Sequence, residues 1–372
     1  MRATDKTAPL SAALVIDPPR IRRLRAALDE LGYDRLQRAF RGSFPRVPHP
    51  PFREFSTTLR RVDPRLRPWF ELLLLGRPVP TGEAERSLGQ ALDDLLQLGV
   101  LQLRGSRVWP CGLTLCSYFD RYLLARRDPS YPRTSQALPD VYIGPASYRL
   151  AWDLPIGRRF DRVLDLCAGS GLIGILMAPS AGRVVSTELS PDAVAAARFN
   201  GVLNGVEGKV EVRQGDLFEP VAGERFDLIA FNPPFVSVPP GVEVPFLIGG
   251  GPEGMTLLRP LLTGLRRHLT RGGWALAYLE GEGDNGGPFL ATRMAPSLES
   301  GGLDAELTLV DRISVAARLR QLREMHQLRR TAFPKAWAPF YRGQGARYYY
   351  VMVARFRPGR GRVVTVNAIP RW

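Results

Sequence analysis

The sequence predicts an α/β fold with a mainly parallel sheet covered by helices on both faces, preceded by a mostly helical region. Three observations carry this expectation. From Val163 onward, short apolar β-rich runs alternate with helical patterns, the arrangement that specifies βαβ units. One of these runs ends in Asp165-Leu166-Cys167-Ala168-Gly169-Ser170-Gly171, a glycine turn of the kind that lets the backbone approach a ligand closely. The chain has 372 residues, 45% of them hydrophobic and 23% charged, enough for two cores without disulfide staples.

The N-terminal region reads as residues 1–128. Asp17-Pro18-Pro19 is a helix start signal, and Ile21 to Leu31 places apolar residues at helical spacing between arginines. Leu66 to Leu75 is a more apolar helix stopped by Gly76. Thr81-Gly82-Glu83-Ala84-Glu85 has the composition of a capped helix start, and Ala91 to Leu98 offers another apolar face. Val100 to Leu103 and Val108 to Pro110 flank the turn Arg104-Gly105-Ser106-Arg107, two short strands of a β-ribbon. Helices followed by such a ribbon resemble a winged helix, a module that binds nucleic acid or serves in dimerisation and capping.

Residues 129–140, rich in Pro, Ser, Thr and Arg, read as a linker, and 141–372 as a second domain. Its predicted strands are Val163–Leu166, Arg183–Thr187, Val210–Gln214, Phe226–Phe231 and Trp274–Leu279. Its predicted helices are Gly171–Ala178, Pro191–Asn204 and Gly254–Leu269, with a turn at Arg271-Gly272-Gly273. Ala305–Val310 and Arg347–Phe356 supply the last two strands, and the Arg-rich stretch 312–345 between them reads as a helical insertion.

Composition excludes several classes. No apolar run approaches the ~18–20 residues that span a bilayer, and the N-terminus lacks the pattern of a signal peptide, so a cytoplasmic protein is the default. Three cysteines, Cys111, Cys116 and Cys167, form no disulfide framework, and with three histidines no metal site is expected. His268 and His326 lie on Arg-rich helical stretches and read as surface residues. The formal charge of +15 is unevenly spread: residues 1–130 carry 22 basic and 14 acidic side chains, 131–300 carry 15 and 18, and 301–372 carry 14 and 4. Basic flanks can contact phosphates, though scattered arginines more often form a solvated face.

The chemistry concentrates where the parallel strands end, the edge at which such sheets bind ligands. Asp165 ends the first predicted strand and Glu188 the second, where a carboxylate can accept both hydroxyls of a ribose. Asp216, in Gly215-Asp216-Leu217-Phe218, ends the third, where it can accept an adenine amino group. Asn232-Pro233-Pro234-Phe235 ends the fourth. An NH₂ on an sp² carbon is a poor nucleophile because its lone pair is delocalised. If the Asn232 side-chain oxygen and the Pro233 carbonyl each accept one N–H, the lone pair is aimed and the developing charge is stabilised. The prolines stiffen this geometry, and Phe235 can stack on a planar substrate.

This ordered set resembles the class I S-adenosylmethionine-dependent methyltransferases of the Asn-Pro-Pro-[Phe/Tyr] branch, over roughly residues 140–311 and the final strand. The resemblance implies a Rossmann-like fold with a mainly parallel seven-stranded sheet, and S-adenosyl-L-methionine as cofactor. It places Asp165 near the methionine amino group, Gly169 and Gly171 beneath the ligand, Glu188 on ribose, Asp216 on the adenine amine and Leu217 beside the adenine. Asn232 faces both cofactor and substrate, and Tyr142, Gly144 and Ser147 occupy a segment that closes over the cofactor in relatives. Cys167 departs from the glycine that many relatives carry, and reads as a buried inert thiol. Gly249 to Met255, with Arg259 beyond, looks like the glycine-rich turn and helix that shape the substrate pocket in the glutamine-amide group.

The implied activity is N-methylation of a planar amide or exocyclic amine, on a small molecule, a protein glutamine or a nucleobase. Two alternatives stay open: transfer of the 3-amino-3-carboxypropyl group from the same cofactor to a small metabolite, and a nucleic-acid-binding protein whose methyltransferase domain is vestigial. A dinucleotide oxidoreductase shares the glycine turn but has no need of Asn-Pro-Pro-Phe. No membrane partner is expected, and the sequence assigns no oligomeric state.

Overall fold

The structure, a computed structural model, describes residues 9–35, 62–126, 141–328 and 333–369. The expected linker, 129–140, lies outside them. The helix Pro18–Leu31 is capped by Asp17, whose carboxylate accepts the Arg20 amide at 3.1 Å, and it ends at Gly32 in the left-handed region. Its apolar stripe, Ile21, Leu24 and Leu28, is buried. Helices Arg67–Leu73, Thr81–Leu88 and Gln90–Gln97 follow. With them comes a small sheet of β1 (Val79–Pro80), β2 (Leu101–Arg104) and β3 (Arg107–Pro110), in the order β1-β3-β2. Thr81 does not cap its helix as expected: Pro80 occupies the cap position and the Thr81 hydroxyl is buried without a partner among the described residues.

A hairpin of β4 (Leu113–Tyr118) and β5 (Arg121–Arg126) was not legible as strands. Every residue of β4 is buried, so the alternation that marks a half-exposed strand is absent. Its turn is made by Phe119 and Asp120, at φ 49° and 60°, rather than by the usual Asn-Gly or Asp-Gly. The hairpin lies against the helix Pro191–Leu203 through side-chain amides. Asn200 accepts the Leu124 amide at 2.7 Å and donates to the Leu124 carbonyl at 3.0 Å and to the Ser170 carbonyl at 2.9 Å. One helical turn on, Asn204 bonds both backbone groups of Tyr122.

The main sheet contains β6 (Phe160–Leu166), β7 (Ala181–Glu188), β8 (Val210–Gln214), β9 (Phe226–Phe231), β10 (Leu269–Asp284), β11 (Gly287–Pro288), β12 (Leu303–Ser314), β13 (Tyr348–Pro358) and β14 (Val363–Asn367). Their order is β8-β7-β6-β9-β10-β13-β12-β14, with β11 paired to β10. Strands β6 to β10 are parallel, and β13 is antiparallel to both of its neighbours. This is the expected Rossmann-like α/β fold, with nine strands in the sheet among the described residues rather than seven, the extra two being β11 and the edge strand β14. The sequence order reverses between β6 and β9, the switch point at whose carboxyl ends sheets of this kind bind ligands.

Several boundaries shift. The helix expected from Gly254 begins at Leu258, because Gly251 and Gly254 hold φ of 75° and 74°. The expected turn at 271–273 is an irregularity inside β10, where register shifts between Leu269 and Trp274. β12 continues through Ser314, so the insertion starts at Val315 and forms the helices Val315–Leu328 and Trp337–Gly343. The helix Phe289–Gly301 between β11 and β12 was not anticipated. Among the described residues no helix is long and apolar enough to cross a membrane, and no group of metal-binding side chains occurs.

Candidate functional site

Register brings the strand ends together. Leu166 pairs with Thr187 on one side and with Phe231 on the other. Cys167, Glu188 and Asn232 therefore leave the sheet at one level, and Glu188 pairs in turn with Gln214, just ahead of Asp216.

The loop after β6 is left-handed at three alternate positions, Cys167 (φ 59°), Gly169 (φ 53°) and Gly171 (φ 79°). A Cβ at Gly171 would sit 3.1 Å from Ala197 Cβ, whereas one at Gly169 would meet nothing within 4 Å. Gly171 thus serves helix packing, while Gly169 presents bare backbone to open space. Gly174 completes the turn: a Cβ there would lie 2.5 Å from Ser186 Oγ. Its amide donates to Asp165 Oδ2 at 2.9 Å, and Ser186 Oγ lies 3.4 Å from the same oxygen.

Asp165 is 2% exposed, and burial raises its pKa to about 7 against the opposing Gly174 hydrogen bond, with the Glu188 charge adding to the rise. Among the described residues nothing donates to Asp165 Oδ1. Glu188 holds the loop itself: Oε2 accepts the Gly169 amide at 2.8 Å and Oε1 the Ser190 amide at 2.9 Å. This anchoring role was not read from the sequence, although it explains why a carboxylate suits the end of β7. Asp216 is exposed, and Leu217, at φ 44°, offers its carbonyl to Thr187 Oγ1 at 3.2 Å. The thiol of Cys167 is half-buried, and burial followed by the charges of Glu188, Asp165 and Asp216 pushes its pKa far up. It stays a neutral thiol.

Tyr142, Gly144 and Ser147 lie along the start of the helix Pro145–Trp152, which packs against β10 and the helix Leu172–Met177. A Cβ at Gly144 would come within 2.3 Å of the Tyr142 ring, so the glycine sets the position of that tyrosine.

At the end of β9, the Asn232 Oδ1 acceptor is buried with no partner among the described residues. An unmet buried acceptor costs about 1–3 kcal/mol. Pro233 and Pro234 are buried and supply no competing amide donor. Phe235 is 7% exposed and its ring lies 5.6 Å from that of Tyr278, so it forms a packed wall more than a free stacking platform. The glycine-rich segment clamps the motif. Val236 donates to the Ile248 carbonyl at 3.0 Å, Gly250 to Val236 at 2.8 Å and Val238 to Gly251 at 2.9 Å. A Cβ at Gly250 would fall 2.7 Å from the Phe235 carbonyl carbon, and one at Gly254 would fall 2.5 Å from the Phe235 oxygen.

Residues 143–240 match the family model of the methyltransferase small domain. The matched stretch contains β6 to β9 and the strand-end residues Asp165, Glu188, Asp216 and Asn232. A ribosomal protein uL3 glutamine methyltransferase from Bradyrhizobium diazoefficiens is 37% identical over 124 residues, covering 30% of this chain and 39% of that protein. A release factor glutamine methyltransferase from Xylella fastidiosa is 35% identical over 161 residues, covering 40% of this chain and 55% of that protein. The chain therefore spans about half or less of the length of these curated relatives. Among solved structures, a ribosomal protein L11 methylase from Lactobacillus delbrueckii subsp. bulgaricus aligns with a TM-score of 0.33 at 15% identity, over 57% of this chain and 76% of that one.

His268 corrects the sequence reading. It is 9% exposed, stacks on Phe218 at 4.4 Å and places Nδ1 3.0 Å from the Glu224 carbonyl. It packs the helix Leu258–His268 against the segment from Phe218 to Glu224. The side chain of His326 lies outside the described residues.

Proposed function

We propose that the protein transfers a methyl group from S-adenosyl-L-methionine to the side-chain amide nitrogen of a protein glutamine. The observation that carries this reading is the unpartnered Asn232 oxygen at the end of β9, an acceptor positioned for an N–H that the protein itself does not supply. The cofactor fits the chemistry of the donor set: the free Asp165 oxygen suits an ammonium group, each Glu188 oxygen accepts one backbone amide and keeps a second lone pair for a vicinal hydroxyl, and bare backbone at Gly169 gives room. In that reading Tyr142, Gly144 and Ser147 border the cofactor, Gly171 supports its loop, and Asp216 and Leu217 flank the base. Bound S-adenosylmethionine supplies an electrophilic methyl group. Asn232 Oδ1 and the Pro233 carbonyl accept the two N–H groups of the substrate amide, fixing its plane and aiming its lone pair. The same two dipoles stabilise the charge that develops on nitrogen. Phe235 and the 249–254 turn exclude water beside it, and the surplus proton leaves to solvent, so no general base is required.

A protein amide is favoured over nucleic acid by the state of the basic N-terminal helix. Arg20 and Arg23 are paired with Asp94, Arg22 with Glu207 and Arg25 with Asp29, which leaves no free cationic stripe on that helix for phosphates. The β1-β3-β2 sheet and its helices are read as a winged-helix-like module within residues 1–128, used in packing and capping. The test incubates the protein and cofactor with glutamine-containing translation proteins and follows substrate mass. A gain of one methylene on a glutamine, abolished in Asn232→Ala, supports the reading. A gain of an aminocarboxypropyl group, or label appearing only in RNA, replaces it with one of the alternatives.

A further inference from the structure

We infer that Arg293 and Arg318 are positioning residues that tie the helices Val315–Leu328 and Trp337–Gly343 to Phe235 and thereby set which substrate the site admits. The inference rests on the reading of Asn232–Phe235 as the substrate edge. Tyr278, Glu280 and Glu282 alternate along β10 and therefore share one face of that strand. Phe235 lies at one end of this row and the insertion at the other.

Two lines of contact run between them. In the first, Arg318 of the helix Val315–Leu328 lies 4.2 Å over the Tyr349 ring, donates to the Tyr349 hydroxyl at 3.4 Å and reaches Glu280 at 3.9 Å. Glu280 accepts the Tyr278 hydroxyl, and the Tyr278 ring packs on the ring of Phe235. In the second, Gln344, just past the helix Trp337–Gly343, accepts a hydrogen bond from Arg293. Arg293 also pairs with the fully buried Glu282 and donates to the Glu253 carbonyl at 3.0 Å. Glu253 adjoins Gly254, whose Cα lies against the Phe235 carbonyl. One line fixes the Phe235 ring and the other its backbone.

The pairs are poorly exposed: the side chains of Arg318 and Glu280 are 15% and 18% exposed, and those of Arg293 and Glu282 are 19% and 0%. Charges held at this depth bond in fixed geometry, so loss of one partner shifts its neighbour. Neither arginine touches the strand-end cluster of Asp165, Glu188 and Asn232, so both should act on acceptor binding and spare the cofactor.

The test compares Arg318→Met, Arg293→Met and the isosteric Glu280→Gln with the wild-type protein by hydrogen exchange. Exchange at the amides of Val236, Val238 and Gly250 should accelerate about tenfold or more, while that of Gly174 and the affinity for S-adenosylmethionine stay within about twofold. Arg318→Lys and Arg293→Lys should recover part of the protection. In turnover, KM for the acceptor should rise about fivefold or more with kcat little changed. Unchanged exchange at the three amides overturns the inference, as does equal acceleration at Gly174. If the wild-type protein methylates nothing, the proposed function fails while the exchange measurement still decides the positioning role.

Discussion

In the proposed reading of the site, Asp165 should make cofactor binding depend on pH in a calculable way. Its carboxyl is buried, with Oδ2 engaged by Gly174 and Ser186 and a pKa raised to about 7. A cationic amino group needs the carboxylate, so affinity for S-adenosylmethionine should increase with pH through about 7. From pH 7 down to 5.5 the protonated fraction grows until the dissociation constant has risen about fifteenfold, and the gain ends near pH 8 where an α-amino group itself deprotonates. Titration calorimetry in buffers of different ionisation enthalpy checks this directly. At pH 7 about half a proton should be released per cofactor bound. Asp165→Asn should bind more weakly and lose both the pH dependence and the proton release. A dissociation constant constant within about twofold from pH 5.5 to 7, with no buffer dependence, would refute the argument.

The same group has a stability consequence of opposite sense. Its folded pKa lies above the unfolded value, so its contribution to stability is complete below about 3.8 and is lost as pH rises through about 7, a change of about 4 kcal/mol at most. Asp165→Asn should therefore raise the melting temperature of the free protein at pH 8 while weakening cofactor binding. A destabilised variant would contradict this.

Asp192 should behave in the reverse manner. Burial pushes its pKa up, but hydrogen bonds from the Ser11 amide and the Arg126 guanidinium outweigh that and hold it at about 2. Its contribution, about 2 kcal/mol, is present above pH ~3.8 and disappears as pH falls through about 2; urea titrations of the wild-type protein and Asp192→Asn should converge across that window. Asn232→Ala should lower kcat about 10²–10³-fold in a methyl-transfer assay, with the fold intact by circular dichroism. Gly254→Ala, at φ 74° and 2.5 Å from the Phe235 oxygen, should cost about 1–3 kcal/mol in chemical denaturation and displace Phe235, whereas alanine at the exposed Gly272 should not displace that ring.

What the sequence reveals and what it hides divide along a physical line. The strand-end motifs are local: Asp165 to Gly171, Glu188, Asp216 and Asn232 to Phe235 each need only a few consecutive residues to declare strand, turn and chemistry. The anchoring of Gly169 by Glu188 joins residues 19 apart and becomes visible only when β6 and β7 pair. The β4–β5 hairpin hid because both faces of β4 are buried and its turn uses Phe119-Asp120. His268 reads as exposed from its arginine neighbours, which say nothing about the Phe218 ring that packs on it. Glu280 and Glu282 left a signal, acidic residues alternating with glycine at the end of an apolar strand, but their partners lie on two other elements.

The asparagines facing the β4–β5 hairpin bear on how the chain can be divided. Asn200 is fully buried, and its amide completes the hydrogen bonding of a strand edge as a third strand would. A fragment beginning at residue 141 would keep that amide and lose Leu124, opening the amide and the apolar surface beside it to water. The remaining bond, to Ser170, would then hold the cofactor loop to a helix that had lost its own support. Truncation should therefore yield an aggregation-prone fragment, because β5 packs on the helices Leu172–Met177 and Pro191–Leu203 of the part that carries the strand-end motifs.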